Sequence, residues 1–518
     1  MKKYKQVVLI IRDGWGIGSP SKWNAVANAS TPNMKSYLAK YPNTILEAAG
    51  TYVGLPDGYQ GSSEVGHLNM GAGRIVKQEL ARINDALVDG TFFSNANYQK
   101  ALKNCVENGK AMHLMGLVQD EGVHAHQEHL FALMKKAKEG GVKNLYIHFF
   151  SDGRDTAPRS SLSFLFALNE KIKEYGIGKI GTLMGRYYGM DRGKKWNLID
   201  LAYDSMVNAE GRKVATAEEA IKTSYEKDRT PDHEEMFDEY IPPTIIGDYP
   251  GIKEGDSVIH FNYRQDRAIE LTRAFIDADY PGKRKNWVKV VYCGLTKYYD
   301  SFDLNILGSM DDEGGMGNLL GEVISNSGLK QLRIAETQKF KHVTSFFNGK
   351  LTTPNKEEKQ VEIKGSFDPA LFAEHPEMNA HDVTDALLKE MKETPYPFIA
   401  VNFANCDMVG HTGNYEAAKK AVEVTDECVG KVVAAVLASD GVALITADHG
   451  NAEEMFDEKS GLAKTSHTKN PVECIFVAND TSGVELRKRG ILADIAPTIL
   501  ALLGIEKPKE MTAENLVL

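Results

Sequence analysis

The segment VVLII, Val7 to Ile11, followed at once by RDGWGIG, Arg12 to Gly18, decides the fold. A continuous β-branched run is typical of a buried strand, and the glycines after it indicate a loop, which places Asp13 at the carboxyl end of the strand. Comparable apolar runs end in acidic residues at YPFIAVNFANCD, Tyr396 to Asp407, and at GVALITADHGN, Gly441 to Asn451. Three strands therefore deliver carboxylates to one edge of a sheet.

Helical patterns lie between these strands. In Tyr415 to Leu437, for example, apolar residues recur at three- and four-residue spacing. Alternation of strands and helices predicts an α/β fold with a mostly parallel sheet, and such sheets bind ligands at the carboxyl ends of their strands.

The middle of the chain has the same α/β pattern but different loop chemistry, because its strand ends deliver arginines. Its strand-then-loop units are KNLYIHFFSDGRD (143–155), KIGTLMGRYYGMDR (179–192), SVIHFNYRQDR (257–267) and VKVVYCG (288–294). We interpret residues 78–313 as a second α/β domain inserted into a first domain formed by residues 1–77 and 314–518. The chain would cross between the domains at Ile75 to Gln78 and at Gly308 to Gly317, and two crossings imply a hinge.

The composition excludes several classes of function. The 518 residues exceed what one hydrophobic core usually spans, and 42% hydrophobic with 25% charged residues is typical of globular proteins. The net charge of -10 argues against nucleic acid or a membrane surface as partner. The five cysteines form no close pairs, and no run approaches the roughly 20 apolar residues of a membrane span. We expect a soluble cytoplasmic monomer whose partner is a small molecule.

Carboxylates and imidazoles recur in the loops at the carboxyl ends of the outer-domain strands. NCDMVGHTG holds Asp407 and His411, TADHGN holds Asp448 and His449, and SHTKNP holds His467. Mn2+ and Zn2+ accept such mixed ligands, and carboxylates gathered at one edge need compensating charge. The alternative for each residue alone is a capping Asp or a surface His. The recurrence of the pattern favours a metal centre.

The segment GSSEVGHLNMGAGR, Gly61 to Arg74, is predicted to be a glycine-rich loop with a nucleophile. A serine hydroxyl is a weak nucleophile at its ordinary pKa, and coordination to a metal activates it at neutral pH. Ser63 beside a dimetal centre would attack phosphorus. The alternative is a glycine-rich turn in which Ser62 or Ser63 caps the following residues.

A set of basic residues indicates a pocket for a small, multiply anionic substrate. Arginine offers bidentate hydrogen bonds to phosphate and carboxylate. The set comprises Arg154, Arg186, Arg192, Arg264, Arg267 and Lys339. Asp155, beside Arg154, is a candidate acid or base for a substrate hydroxyl. Taken singly, each arginine is more typical of a solvated or ion-paired surface residue, and it is their shared placement on strand-end loops that favours the pocket.

Two further patterns carry less information. GWGIG after the first strand imitates a dinucleotide loop, but Ser19 stands in place of the third glycine, so we expect no NAD. The cluster His124, His126 and His129 fits a metal site or the start of a helix with polar surface histidines. Of these three we favour only His124, as a substrate contact.

Taken together, the motifs resemble the cofactor-independent phosphoglycerate mutases, which are dimetal enzymes of the alkaline phosphatase superfamily and use no bisphosphoglycerate. The resemblance covers nearly the whole chain and rests on motifs in the family's order. They are SEVGHLNMGAGR, GVHAH, DGRDTAP, GRYYGMDR, RIAETQKF, NCDMVGHTG, TADHGNAE, SHTKNPV and DIAPT.

This resemblance implies roles for individual residues. Asp407, His411 and His467 would bind one Mn2+, and Asp13, Ser63, Asp448 and His449 the other, with Zn2+ or Co2+ as alternatives. Ser63, Asp155 and Lys339 would be catalytic, with Ser63 phosphorylated during the interconversion of 3-phosphoglycerate and 2-phosphoglycerate in glycolysis and gluconeogenesis. The implied substrate-binding residues are His124, Arg154, Asp155, Arg186, Arg192, Arg264, Arg267 and Lys339.

Some positions depart from the family pattern. Ser62 stands where Asn is common, Gln265 replaces a common Pro and Gly189 a common Ala, while Lys350 to Glu377 matches poorly and is predicted to be a surface excursion. None of these changes removes a catalytic group.

Two alternative functions are less consistent with these residues. A phosphatase or phosphopentomutase on the same metal core would not need the full set of arginines. A non-catalytic metal- or phosphate-binding protein would have lost Ser63 or some ligand, and all of them are present.

Overall fold

A computed structural model describes residues 2–299, 302, 305–307, 316–458 and 461–518. The chain forms two compact units, which we call unit 1 (Met1–Gln78 with Asp312–Leu518) and unit 2 (Glu79–Asp311). Most of the expected second crossing, Gly308 to Gly317, lies outside the described residues.

The strands are short and spread along the whole chain. In chain order they are β1 (Val7–Arg12), β2 (Asn43–Glu47), β3 (Met112–Leu117), β4 (Leu145–Ser151), β5 (Lys179–Gly185), β6 (Arg212–Val214), β7 (Thr244–Ile246), β8 (Ser257–His260), β9 (Val291–Gly294), β10 (Asn305–Ile306), β11 (Gln331–Glu336), β12 (Glu358–Ile363), β13 (Phe398–Phe403), β14 (Val442–Thr446), β15 (Phe456–Asp457), β16 (Leu462–Ala463), β17 (Val472–Val477) and β18 (Arg489–Ile491).

Helices alternate with these strands. They are α1 (Ala25–Asn28), α2 (Pro32–Lys40), α3 (Ser63–Ala72), α4 (Glu79–Asp89), α5 (Thr91–Ser94), α6 (Ala96–Glu107), α7 (Gln127–Glu139), α8 (Ser161–Tyr175), α9 (Arg186–Gly189), α10 (Trp196–Asn208), α11 (Ala217–Lys227), α12 (Ile269–Ile276), α13 (Leu320–Asn326), α14 (Thr337–Lys341), α15 (Ala380–Glu393), α16 (Asn405–Gly410), α17 (Tyr415–Ala438) and α18 (Ile495–Leu503). The helix predicted over Tyr415 to Leu437 is thus confirmed as α17.

Unit 1 is built on a sheet of strand order β12-β11-β13-β1-β14-β17-β2-β18. The VVLII segment in β1 is fully buried, and β1 runs parallel to both β13 and β14, with Val7 opposite Phe398 and Val442. Strand β17 runs antiparallel to β14 and to β2. The predicted α/β fold with a mostly parallel sheet is therefore confirmed.

Unit 2 has a sheet of its own, of strand order β10-β9-β8-β3-β4-β5-β7-β6. Its pairs are parallel from β10 to β5, and β7 is antiparallel to β5. The arginine-bearing loops predicted from the sequence follow β4, β5 and β8, so they leave the carboxyl ends of parallel strands in one sheet.

One prediction in unit 1 is wrong. The segment Lys350 to Glu377 is not only a surface excursion, since it contains the edge strand β12, which pairs in parallel with β11 from Glu358 to Ile363. In the part of the chain that the structure describes, no helix combines the length and the apolar character needed to cross a membrane.

Candidate metal centre and arginine cluster

Three neighbouring strands deliver the carboxylates of unit 1. Because β13, β1 and β14 are adjacent and parallel, the residues that follow them meet at one edge of the sheet. Asp13 follows β1, Asp448 follows β14, and Asp407 lies in α16, which begins two residues beyond β13. All three carboxylates are buried.

Asp407 binds two histidines from different loops. His411 lies one helical turn beyond Asp407, with its Nε2 3.3 Å from Asp407 Oδ1, and His467 Nε2 lies 3.1 Å from the same oxygen. The two Nε2 atoms are 3.1 Å apart. Each ring is held through its Nδ1, that of His411 by the carbonyl of Thr465 and that of His467 by the carbonyl of Gly61.

Ser63 is the first residue of a helix, whereas the sequence predicted a glycine-rich loop. Ser62 is the N-cap of α3 and its hydroxyl accepts from the Val65 amide at 3.4 Å. The glycines serve close packing, since a Cβ on Gly66 would lie 2.7 Å from the Asp448 carbonyl and one on Gly71 1.9 Å from the Phe347 carbonyl. The helix therefore passes directly over the loops of the metal centre.

The hydroxyl of Ser63 lies at the point where several functional groups meet. Its Oγ is 2.9 Å from His449 Nε2 and donates to Asp13 Oδ1 at 3.1 Å. Lys339 Nζ lies 2.6 Å from Ser63 Oγ, 2.7 Å from Asp13 Oδ1 and 2.6 Å from Asp407 Oδ2. Lys339 was grouped with the arginines in the sequence analysis, but it lies in unit 1, buried among the carboxylates.

Among the described residues, three groups of ligand atoms lie within 4.8 Å of one another. The groups are Asp407, His411 and His467; Asp13, His67 and Asp448; and Asp13, Asp407 and His449. The first has the same members as one predicted ligand set. Of the second predicted set, Asp13, Asp448 and His449 are divided between the other two groups, and Ser63 belongs to neither.

His67 is a member that the sequence analysis missed. Its Nδ1 lies 2.9 Å from the Ser63 carbonyl oxygen and 3.3 Å from Asp448 Oδ2. Its Nε2 lies 3.1 Å from Asn402 Nδ2, and that Nδ2 also donates to Asp13 Oδ2 at 2.7 Å. His67 lies four residues after Ser63 and therefore on the same helical face. A helix predicted over Gly61 to Arg74 would have placed His67 on the same face as Ser63.

Charge compensation governs the protonation of these groups. Burial raises the pKa of Asp407, but Lys339, His411 and His467 outweigh it and hold that pKa well below its usual range. Burial lowers the pKa of His449, but Asp448, Asp13 and Asp407 overcome that effect and raise it to about 10. Asp407 is therefore an ionised carboxylate held by neighbouring cations.

These residues fit a divalent cation. Asp448 Oδ2 is buried and receives no hydrogen bond in the described part of the chain, so one ligand atom is left for a metal. The imidazole nitrogens of His411 and His467 meet at one carboxylate oxygen, and mixed nitrogen and oxygen ligands suit Mn2+, Zn2+ or Co2+. We conclude that unit 1 contains a binding site for divalent metal.

Unit 2 gathers the predicted basic residues into one arginine cluster, which we define as Arg154, Arg186, Arg192, Arg264 and Arg267. Arg186 is buried, and its Nη1 lies 2.6 Å from both Asp152 Oδ1 and Asp155 Oδ2. Arg192 Nη1 is 2.6 Å from Asp266 Oδ2, and Arg264 Nε is 3.5 Å from Asp266 Oδ1. The acidic partners Asp152 and Asp266 were not among the residues predicted for this pocket.

The other two arginines complete the cluster. Arg154 forms a two-pronged ion pair with Glu239, at 3.1 and 2.5 Å. Arg267 Nη1 donates to the Met190 carbonyl at 3.0 Å, and burial together with the nearby Arg186, Arg192 and Arg154 lowers its pKa. An anion that entered this cluster would relieve the mutual repulsion of the arginines.

His124 belongs to the arginine cluster, whereas its two neighbours do not. Its Nε2 lies 3.8 Å from Asp155 Oδ2, and its Nδ1 lies 3.8 Å from Asp266 Oδ1. Burial, together with the nearby Arg186 and Arg264, lowers the pKa of His124 to about 3. His126 is the N-cap of α7, as the helix-start alternative predicted. His129, for which a metal ligand and a polar surface residue were the alternatives, is buried in α7, and its Nε2 lies 2.8 Å from Asn84 Oδ1.

Comparisons with known proteins agree with this chemistry. The model of the metalloenzyme superfamily matches residues 5–507. Enzymes named 2,3-bisphosphoglycerate-independent phosphoglycerate mutase from Clostridium perfringens and Acetivibrio thermocellus are each 46% identical, over 517 and 521 residues, and cover 99% of both chains. A crystal structure of Leishmania mexicana phosphoglycerate mutase at low cobalt concentration is 32% identical, with a TM-score of 0.77 over 100% of this chain and 98% of that one.

Proposed function

This chain belongs to the metalloenzyme superfamily and, within it, to the 2,3-bisphosphoglycerate-independent phosphoglycerate mutases. From that premise we propose that Ser63 carries the phosphoryl group between the two positions of the glycerate. The observation that supports this most is the meeting of Ser63 Oγ with Lys339 Nζ at 2.6 Å and His449 Nε2 at 2.9 Å. Ser62, by contrast, is engaged in capping α3.

The ligand sets proposed are those of the sequence analysis. Asp407, His411 and His467 would hold one cation, and Asp13, Ser63, Asp448 and His449 the other, with Mn2+ as the proposed metal. The Leishmania mexicana structure was determined at low cobalt concentration, which supports Co2+ as an alternative metal. When bound, the cations supply Lewis-acid stabilisation of the phosphoryl oxygens and lower the pKa of the serine hydroxyl.

The residues of unit 1 orient the attack and compensate charge. Ser63 Oγ forms a bond to phosphorus as the bond from phosphorus to the glycerate oxygen breaks. The ammonium group of Lys339 is fixed by Asp13 and Asp407 and donates toward the developing negative charge. Its pKa is raised by Asp13, Asp407 and Asp448 despite burial, so Lys339 remains a cation throughout.

The residues of unit 2 hold the glycerate and manage its proton. The arginine cluster would bind the carboxylate and phosphate of the substrate, and the neutral His124 would donate or accept one hydrogen bond. Asp155 would give a proton to the glycerate oxygen that leaves phosphorus in the first transfer. It would take a proton back from the other glycerate hydroxyl as that hydroxyl attacks phosphoserine, from which Ser63 leaves as the starting alkoxide. Arg186, 2.6 Å from Asp155 Oδ2, would keep this carboxylate in place.

A mutase must retain the dephosphorylated glycerate, because water would otherwise hydrolyse the phosphoserine. The arginine cluster would provide that retention through its contacts to the glycerate carboxylate, which remain after the phosphoryl group has moved to Ser63. The glycerate would turn while still bound and receive the phosphoryl group on its other hydroxyl. The reaction would serve glycolysis in one direction and gluconeogenesis in the other.

The proposal extends to partners and location. The net charge of -10 supports a small-molecule substrate rather than nucleic acid or a membrane. We propose a cytoplasmic monomer that needs neither bisphosphoglycerate nor NAD. Light scattering coupled to size exclusion would test the oligomeric state directly.

The decisive experiment is an enolase-coupled assay. The Mn2+-loaded protein should convert 3-phosphoglycerate to 2-phosphoglycerate with no bisphosphoglycerate added, and removal of metal by a chelator should stop the reaction until Mn2+ is restored. Inactivity of the loaded protein would refute the proposal. Free phosphate as the main product would show a phosphatase instead.

A further inference from the structure

The GWGIG segment, which imitates a dinucleotide loop, surrounds one buried carboxylate of unit 1. Glu453 is 2% exposed and lies in the turn that follows Asp448 and His449. A Cβ added to Gly16 would lie 2.5 Å from the carboxyl carbon of Glu453, and one added to Gly18 would lie 2.8 Å from its Cγ. The glycines of this loop therefore make room for the side chain of Glu453.

The two oxygens of Glu453 accept hydrogen bonds from three separate loops. Oε2 accepts from the Gly16 amide at 3.2 Å and from the Asn451 amide at 2.7 Å. Oε1 accepts from the Thr468 hydroxyl and from Asn470 Nδ2 at 2.9 Å. Four donors satisfy the carboxylate without any cation.

Each of these loops carries candidate metal ligands. Gly16 lies three residues after Asp13, Asn451 lies two residues after His449, and Thr468 follows His467 directly. Backbone bonds also join the loops in pairs, from Ala452 to Gly14 at 3.1 Å and from Thr468 to Gly450 at 3.0 Å. The carboxylate of Glu453 is bonded to all three loops at once.

Glu453 is connected to a fourth candidate ligand, Asp407, by hydrogen bonds through Asn451. The Asn451 amide is held by Glu453, while its side-chain Nδ2 donates to Asp407 Oδ1 at 2.9 Å. Asp407 Oδ1 is the oxygen that His411 and His467 approach. A shift of Glu453 would therefore move ligands of both proposed cations.

We propose that Glu453 is a positioning residue that sets the spacing of the ligand-bearing loops, and that Gly16 and Gly18 are glycines because this side chain needs the space. The inference rests on the proposed function in so far as those loops bind metal. Outer residues that orient metal ligands typically change metal affinity about 10- to 100-fold when they are removed.

The test measures binding of Mn2+ alone, by electron paramagnetic resonance of the free ion, without substrate. Glu453→Ala should weaken Mn2+ binding about 10- to 100-fold. Glu453→Gln should retain most of the binding. Its amide oxygen still accepts from Gly16 and Asn451 and its amide nitrogen donates to the Thr468 hydroxyl oxygen, so only the bond from Asn470 Nδ2 is lost. Turnover by Glu453→Ala should be low at limiting Mn2+ and recover as Mn2+ approaches saturation.

Two further variants keep the test independent of folding defects in Glu453→Ala. Thr468→Val removes one donor with little change of shape, and Gly16→Ala forces the carboxylate aside, so both should weaken Mn2+ binding in the same direction. The controls are Glu458→Ala, which removes an exposed carboxylate five residues beyond Glu453, and Gly365→Ala, whose Cβ would meet nothing nearer than 3.9 Å. Both should bind Mn2+ as the native chain does.

Other outcomes would overturn the inference. Native Mn2+ affinity in Glu453→Ala, Thr468→Val and Gly16→Ala would show that the carboxylate does not position the ligands. Loss of affinity in Glu453→Gln equal to that in Glu453→Ala would assign the effect to charge rather than to hydrogen-bond geometry. Failure of the native chain itself to bind Mn2+ would refute the proposed function, and this inference with it.

Discussion

The ammonium nitrogen of Lys339 lies 2.6 Å from the hydroxyl oxygen of Ser63, although the two residues are 276 positions apart in the chain. Asp13 and Asp407 hold the same nitrogen at 2.7 and 2.6 Å. The carboxylates thus fix a cation beside the proposed nucleophile, where phosphoryl transfer develops negative charge.

Replacing this cation should separate catalysis from metal binding. We expect Lys339→Met to lower kcat/KM at least about 100-fold, since one preorganised charge is lost from the transition state. Mn2+ binding should persist, because the metal itself compensates the carboxylates. Steady-state kinetics and Mn2+ titration would check both points. Lys341→Met on the same helix is the control, since Lys341 is exposed; equal activity of the two variants would contradict the role of Lys339.

The two adjacent serines should behave differently. Ser63→Ala should abolish turnover and the appearance of a phosphorylated protein in intact mass spectra after mixing with substrate. Ser62→Ala should keep most of the activity and lose about 1 kcal/mol of stability, because it removes the N-cap of α3. The opposite pattern would assign the nucleophile to Ser62.

Two arginines of the cluster should differ in what their loss affects. Arg186→Leu leaves Asp152 buried without its cation and should lower the free energy of unfolding by about 3–5 kcal/mol. Arg192→Gln removes a side chain that is 56% exposed, so stability should fall by no more than about 1 kcal/mol while KM rises. Urea denaturation and steady-state kinetics would separate the two effects. An unchanged KM in Arg192→Gln would argue against substrate contact.

Buried histidines should make unit 2 sensitive to acid. Burial lowers the pKa of His260 to about 3, and burial with the nearby His126 lowers that of His129 to about 3. The unfolded chain takes up these protons near pH 6.5 and the folded chain does not, so stability is fully present above pH 6.5 and falls as pH drops towards 3. In that window each of the two histidines should lower the free energy of unfolding by up to about 1.4 kcal/mol for each pH unit of acidification.

Urea denaturation of the full chain at pH 7 and pH 5.5 would measure this loss. His260→Gln and His129→Gln should each reduce the dependence of stability on pH. His233→Asn is the control, because His233 is exposed in the same unit. A pH dependence that is the same in all three variants would rule out the buried histidines as its source.

The sheet of unit 1 was predictable because its central strands carry a local signal. Continuous β-branched runs such as VVLII predict buried parallel strands, and the acidic residues after them mark the edge where ligands gather. The 24-residue α17 was equally visible from its periodicity.

The features that were missed depend on contacts between distant residues. Glycines predicted a loop over Gly61 to Arg74, but Gly66 and Gly71 serve the close approach of α3 to other backbone segments, which local sequence does not show. Lys339 shares the charge of the arginines, and only its partners Asp13 and Asp407 place it in the metal centre. The edge strand β12, Glu358–Ile363, has the sequence EKQVEI, whose two apolar residues Val361 and Ile363 are separated by Glu362, so it offers no apolar run.

The position of β1 between β13 and β14 has a consequence for synthesis on the ribosome. Residues 79–311 are contiguous and emerge complete before either strand that pairs with β1 has been made. Val7 to Ile11 must therefore remain without its partners through most of translation, as a segment that could associate with other nascent chains. Lys2, Lys3 and Lys5 stand directly before it, and charges that flank an apolar strand discourage such association.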